Sequence, residues 1–87
     1  MTDFIIRSPH TKEECLAALD ETLKEGPEVL AKFEWGCAKG DHTAYGIVKA
    51  ENQTAALNYV PRLVRSKAIV QEVARVTPDD IRSYHRA

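Results

Sequence analysis

The sequence predicts an α+β fold of the ferredoxin-like type, with the element order β-α-β-β-α-β followed by a short C-terminal helix. Short runs of β-forming residues alternate with stretches whose apolar residues recur at helical spacing, and turn-forming and capping residues separate them. The composition, with 44% apolar and 29% charged residues, is typical of one globular domain, so residues 1–87 are interpreted as a single domain. Right-handed crossovers then predict a four-stranded antiparallel sheet in the order 4-1-3-2, with two helices on one face.

The first strand and the first helix are predicted from the first 27 residues. Residues 3–8 contain three consecutive β-formers. Thr11 and Glu14 have the spacing of a capping box, which begins a helix. We expect one apolar stripe of this helix to face the core: Cys15, Leu16, Leu19 and Leu23. Gly26 and Pro27 end the helix.

A hairpin of two strands is predicted next. Residues 29–39 form the second strand, a turn contains Gly40, and residues 43–50 return as the third strand. In the third strand small side chains alternate with Tyr45 and Ile47, so we expect the small ones to face the helices.

A second helix, a fourth strand and a terminal helix are predicted in the rest of the chain. Asn52 is a candidate N-cap for the second helix, and Pro61 interrupts its apolar pattern. Residues 68–76 form the fourth strand. Pro78, followed by two acidic residues, begins the terminal helix.

Strands 1, 3 and 4 carry apolar residues on both faces, whereas a sheet with one face in water normally alternates more cleanly. This pattern predicts an apolar patch that serves as an interface. In its element order and in this apolar second face, the chain resembles the dimeric α+β barrel superfamily, in which two ferredoxin-like subunits pack sheet against sheet. The resemblance implies a homodimer and carries no functional residue over to this chain.

Charge and hydropathy limit the partners. The net charge is −1, and the six basic residues after position 61 are spread over three predicted elements, so no nucleic-acid surface is expected. No apolar run is long enough to span a bilayer, and no signal peptide is visible, so we expect a cytoplasmic protein with no membrane partner. Its two cysteines are then expected to be reduced thiols.

Chain direction brings the ends of strands 1 and 2 and the start of strand 3 to one end of the sheet. The first hypothesis is that this end binds a small anionic or polar-aromatic molecule, without a tightly bound cofactor. Its candidate ligand-binding residues are His10, Trp35, Lys39, His42 and Tyr45.

Two alternatives remain open, and the sequence does not decide whether the protein is an enzyme. One is a cofactor-free isomerase or oxygenase that uses His10 or His42 as proton shuttle. The other is a soft-metal site made by His10, Cys37 and His42, which are ligand types that suit zinc, copper or nickel. Electrostatic repulsion by four basic residues at this end argues against a metal ion there: Lys39, Arg62, Arg65 and Lys67. Cys15 is interpreted as a core residue.

Overall fold

The computed structural model describes residues 1–86, which form an α+β fold around a four-stranded antiparallel sheet. The strands lie in the order β2-β3-β1-β4, the predicted order viewed from the other edge. Their bounds are β1 Thr2–Pro9, β2 Phe33–Trp35, β3 Thr43–Ala50 and β4 Ile69–Val73. The helices are α1 Lys12–Glu25, α2 Pro27–Leu30, α3 Gln53–Leu57 and α4 Pro78–Arg86, with 3₁₀ turns at Cys37–Lys39 and Arg62–Lys67. The arrangement is compatible with a ferredoxin-like fold, but the order β-α-α-β-β-α-β-α departs from the predicted one.

The core lies between the helices and one face of the sheet, as the alternation in the strands predicts. Phe4 and Ile6 of β1 are buried there, beside Val48 and Ala50 of β3. Gly46 brings the chain before β2 very close to β3, because a Cβ atom at this position would lie 2.7 Å from the carbonyl oxygen of Lys32.

Helix α1 begins as predicted but faces the core with a different side. Thr11 and Glu14 make both hydrogen bonds of the capping box. The predicted apolar stripe is wrong in part, because Leu16 is 69% exposed and Leu23 is also exposed. The buried residues of the helix are Ala18 and Thr22, whose small side chains allow the helix axis to approach the sheet.

The second strand is shorter than predicted. Residues 29 and 30 belong instead to α2, which begins at Pro27. Gly26, which precedes it, has a φ of 137°, a backbone conformation that favours glycine. After β2 the chain turns into the 3₁₀ turn Cys37–Lys39, which ends at Gly40 with φ of 91°. Gly40 therefore lies in the turn that the sequence predicts, in the left-handed conformation.

The second half of the chain is less regular than predicted. Asn52 caps α3 by accepting a hydrogen bond from the Ala55 backbone, but α3 ends at Leu57, and a 3₁₀ turn follows Pro61. Strand β4 is also shorter than the predicted 68–76. Helix α4 begins at Pro78, as predicted, and nearly all of its side chains are exposed.

The sheet face opposite the helices carries exposed apolar side chains. Ile5 and Ile47 lie opposite each other in the β1–β3 register, and both are exposed, as is Ile69 of β4. Among the described residues, none of the helices has the length and apolar character needed to cross a bilayer.

Candidate metal centre

Four side chains with metal-binding atoms converge where β1 ends: His10, Cys15, Cys37 and His42. One ligand atom from each lies within 4.8 Å of the ligand atoms of the other three. The Nε2 atom of His10 is 3.1 Å from the Cys37 Sγ atom, and the Cys15 Sγ atom is 2.8 Å from the same sulfur. Two thiols and two imidazoles thus form one compact cluster.

Three segments of the backbone hold the four residues of the cluster. His10 directly follows β1, and its backbone N–H donates to the carbonyl oxygen of His42 at 2.9 Å. Cys15 lies in the first turns of α1, whose start is held by the capping box at Thr11. Cys37 begins the 3₁₀ turn after β2. The cluster therefore joins β1, α1 and the β2–β3 loop.

Gly36 shapes the loop that carries Cys37 and His42. Its N–H donates to the carbonyl oxygen of Thr43, and its own carbonyl accepts from the backbone of Lys39 and Asp41. A Cβ atom on Gly36 would lie 2.4 Å from the Asp41 carbonyl oxygen, well inside contact distance. Only glycine fits this close approach of one side of the loop to the other.

The Cys37 thiol is held in its protonated form. Burial, together with the hydrogen bond from the Cys15 thiol, raises its pKa from 9.0 to about 11. A protonated thiol is a poor nucleophile, so this environment does not favour nucleophilic catalysis by Cys37. A metal ion would bind here by replacing thiol protons.

Three buried polar atoms at this end have no hydrogen-bond partner among the described residues: His10 Nδ1, His42 Nδ1 and Trp35 Nε1. Buried polar atoms are nearly always partnered, and an exception calls for an explanation such as a bound ion. Two of the three belong to the imidazoles of the cluster, whose ring centroids are 5.9 Å apart. The imidazoles therefore have hydrogen-bonding or coordinating capacity that the protein itself does not use.

Two of the four cations expected to oppose a metal ion make contacts elsewhere. Lys67 pairs with Glu14 through its Nζ atom, and this hydrogen bond holds the pKa of Glu14 down at about 2. The guanidinium of Arg65 donates to the Val60 carbonyl oxygen. Lys39 is exposed to solvent, where its charge is screened. The electrostatic objection to a cation is therefore weaker than the sequence indicates.

The predicted ligand-binding residues divide into two groups. His10, Trp35 and His42 lie together, with the ring centroids of His10 and Trp35 6.1 Å apart. Lys39 makes no side-chain hydrogen bond or ion pair within residues 1–86. Tyr45 points to the opposite face of the sheet, where its hydroxyl donates to the Asp41 carboxylate at 2.9 Å. The structure thus brings three of the five residues together.

Cys15 is the site residue that the sequence analysis missed. Its position on an apolar helix stripe favoured core packing, but its sulfur contacts Cys37 and it is only half-buried. The spacing of the four residues could have indicated that Cys15 belongs to the site. His10 and Cys15 are five positions apart, and so are Cys37 and His42, with the histidine and the cysteine in the reverse order. Each pair spans one local segment, and the β1–β3 pairing brings the two segments together.

Two spaces lie at opposite ends of the sheet, one next to His10 and one away from the cluster. Between Ser8, His10, Phe33 and Trp35, the gap under the helices is too narrow to admit a water molecule. A cavity of about 310 Å³ lies instead at the opposite end of the sheet, next to Ala50. Its other lining residues include Met1, Val29, Ala55 and Tyr59. None of the four residues of the cluster lines this cavity.

Comparison with known proteins gives no relative from which a role for these residues could be inferred. No protein-family model, curated protein or solved structure matches the chain.

Proposed function

We propose that the protein binds one transition-metal ion of the zinc class through the Cys₂His₂ cluster His10, Cys15, Cys37 and His42. The convergence of four ligand atoms within 4.8 Å is the observation that carries this proposal. Thiolate and imidazole together are ligands of zinc, and they also suit copper and nickel. Two thiolates neutralise the charge of a divalent ion, which is favourable in a half-buried site.

The distances require only small adjustments to accept such an ion. With Zn–S bonds of about 2.3 Å and Zn–N bonds of about 2.0–2.1 Å, tetrahedral ligands lie roughly 3.3–3.8 Å apart. The sulfurs of Cys15 and Cys37, 2.8 Å apart, would have to separate by about 1 Å. Rotation about the side-chain bonds of Cys15 on the half-buried side of α1 supplies this movement.

A site closed by four protein ligands leaves no open position for a substrate. The proposed role is therefore binding of the ion, for storage, delivery or stabilisation of this end of the fold, rather than metal catalysis. The enzyme hypothesis with His10 or His42 as proton shuttle stays a prediction, and the enclosed position of His10 gives it no support.

The test is a zinc titration of the reduced, chelator-treated protein, monitored by competition with a chromogenic chelator. We expect one ion per chain. The variants His10→Ala, Cys15→Ser, Cys37→Ser and His42→Ala should each weaken zinc binding by at least about 100-fold, since even outer-shell changes cost 10–100-fold. The same titration with nickel and copper(I) identifies the preferred metal.

His85→Ala is the matched control, because His85 is exposed on α4, away from the cluster. It should bind zinc like the wild type. Binding of less than one ion per chain, or equal affinity in the control and the four ligand variants, would overturn the proposal. Small carboxylates and phosphates added to the metal-free protein, with the histidine chemical shifts as readout, test the first hypothesis of a small anionic ligand.

We further propose that two copies pair through the exposed sheet face, as in the dimeric α+β barrel superfamily. Its centre is apolar, with Ile5 and Ile47 side by side. Around the centre lie two cations and three carboxylates, Arg7, Lys49, Asp3, Glu34 and Asp41, so the charges of the face nearly cancel and repulsion between two copies is weak. A chain of 87 residues buries a small core, and dimerisation would add to it. The cytoplasmic location stays a prediction from the sequence.

A further inference from the structure

We propose that Cys15 and Cys37 are a reversible oxidation site, at which an intramolecular disulfide forms under peroxide and excludes the metal ion. The metal part of this inference rests on the proposed function, whereas disulfide formation itself does not. The pair would make metal occupancy depend on the redox state of the surroundings.

The contact between the two sulfurs carries the inference. At 2.8 Å, the Sγ atoms are separated by less than 1 Å more than in a disulfide, whose S–S bond is about 2.0 Å. They are the only two cysteines of the chain, so no other intramolecular pairing competes. Both residues are half-buried, so a small oxidant can reach them while a bulky protein thiol is hindered.

The two sulfurs are carried by separate segments, and closure needs little movement of either. Cys15 is held within the regular helix α1. Cys37 lies in a single 3₁₀ turn that ends at Gly40 in the left-handed conformation. Rotation about the side-chain bonds of the two cysteines can close the remaining separation of less than 1 Å while both backbones stay in place.

Hydrogen peroxide is the oxidant that balances the reaction. The Cys15 thiol loses its proton, and its sulfur attacks a peroxide oxygen to form a sulfenic acid as the O–O bond breaks. The hydroxide that leaves takes up the released proton and becomes water. The second thiol attacks the sulfenic sulfur, the S–S bond forms, and the S–OH oxygen leaves as water with the second thiol proton. In total two thiols and one peroxide give one disulfide and two waters. A dithiol reductant reverses the change by two successive thiol–disulfide exchanges.

The disulfide bond and the metal–sulfur bonds are made by the same two sulfur atoms, those of Cys15 and Cys37. Formation of the disulfide and binding of the metal should therefore exclude each other. A disulfide sulfur is not a thiolate and leaves the site with only its two imidazoles. Conversely, a bound zinc ion holds the sulfurs apart and occupies their lone pairs. Oxidation should thus release the metal, and zinc should slow oxidation.

The experiment treats metal-free protein with hydrogen peroxide and measures free thiols and intact mass. We expect both thiols to disappear together, a mass lower by two hydrogen atoms, and full recovery with dithiothreitol. Zinc loaded beforehand should slow this loss at least about tenfold, and the oxidised protein should bind zinc at least about 100-fold more weakly.

His10→Ala separates the two proposals, because it keeps both cysteines. It should form the disulfide like the wild type but gain little protection from zinc. Cys15→Ser and Cys37→Ser should give no intramolecular disulfide, and circular dichroism checks that they remain folded. Disulfide formation in a protein that does not bind zinc would sustain the oxidation site and reject the metal site. Zinc binding accompanied only by intermolecular disulfides or sulfinic acids would reject the oxidation site alone.

Discussion

The Nε2 atom of His10 lies 3.1 Å from the Sγ atom of Cys37, although 26 residues separate them in the chain. Strand register produces this contact. Pro9 pairs with Thr43 at the end of β1, and Trp35 pairs with Ala44. The residues that continue from these paired positions therefore meet at one end of the sheet. A change of register by one residue would turn every strand side chain to the other face and separate the ligands.

Zinc should stabilise the folded protein by linkage, because the cluster forms only in the native state. At a free zinc concentration of 100 times Kd, the free energy of unfolding should rise by about 2.7 kcal/mol. Urea unfolding with and without zinc measures this difference, and a chelator should remove it. Cys37→Ser should show almost no gain. An equal gain in Cys37→Ser and wild type would place the zinc outside the cluster.

Gly36→Ala should disturb the loop that carries Cys37 and His42. The new Cβ atom would meet the Asp41 carbonyl oxygen, so the loop must shift, at a cost of about 1–3 kcal/mol in the free energy of unfolding. Zinc affinity should fall by at least about 10-fold, since the ligands are displaced. Urea unfolding and zinc competition measure the two effects.

Ala38→Ser is the control for Gly36→Ala, because Ala38 is exposed in the neighbouring 3₁₀ turn. Its free energy of unfolding should stay within about 0.5 kcal/mol of the wild type. If Gly36→Ala behaved like this control, the close approach in the loop would not support the site.

Local signals predicted most of the fold, and the sheet order followed from them. The capping box at Thr11, the N-cap at Asn52 and the alternation in β3 act within a few residues, so they are visible in the sequence. The rotation of α1 is different, because it depends on how closely the helix can approach the sheet. Ala18 allows the closest approach, and this tertiary effect turned Cys15 towards the cluster instead of the core.

The rotation of α1 can be tested by comparing leucine and isoleucine truncations. Leu16→Ala should change the free energy of unfolding by no more than about 0.5 kcal/mol, because the side chain is largely exposed. Ile6→Ala removes a fully buried side chain and should cost about 2–5 kcal/mol. Urea unfolding gives both values. A loss in Leu16→Ala as large as that in Ile6→Ala would favour the original stripe.

The Glu14–Lys67 pair should make stability depend on pH in the acidic range. The hydrogen bond from Lys67, together with those from Thr11, lowers the pKa of Glu14 from 4.5 to about 2 in the folded protein. A carboxyl with a lowered folded pKa stabilises the fold above its unfolded pKa, and this contribution is lost as the pH falls towards the folded value. Glu14→Gln should therefore be less stable than the metal-free wild type at neutral pH, and the difference should vanish towards about pH 2.

Glu13→Gln is the matched control, because Glu13 is exposed on the same turn of α1 and makes no side-chain hydrogen bond within the described chain. Glutamine at position 14 can still complete the capping box, so the comparison isolates the charge. Urea unfolding of the metal-free proteins over this pH range is the measurement. A pH dependence of equal size in both variants would contradict the assignment to Glu14.

The exposed sheet face should hold two copies together. We expect light scattering after size exclusion, at micromolar concentration, to give twice the chain mass of 9.7 kDa. Ile47→Asp places a charge beside Ile5 at the centre of the face, where its burial in a dimer is costly, so this variant should dissociate or unfold. Leu16→Asp makes the same kind of change on the exposed side of α1 and should remain a dimer. A folded wild-type monomer would refute pairing through this face, and dissociation of Leu16→Asp alone would move the interface to the helical side.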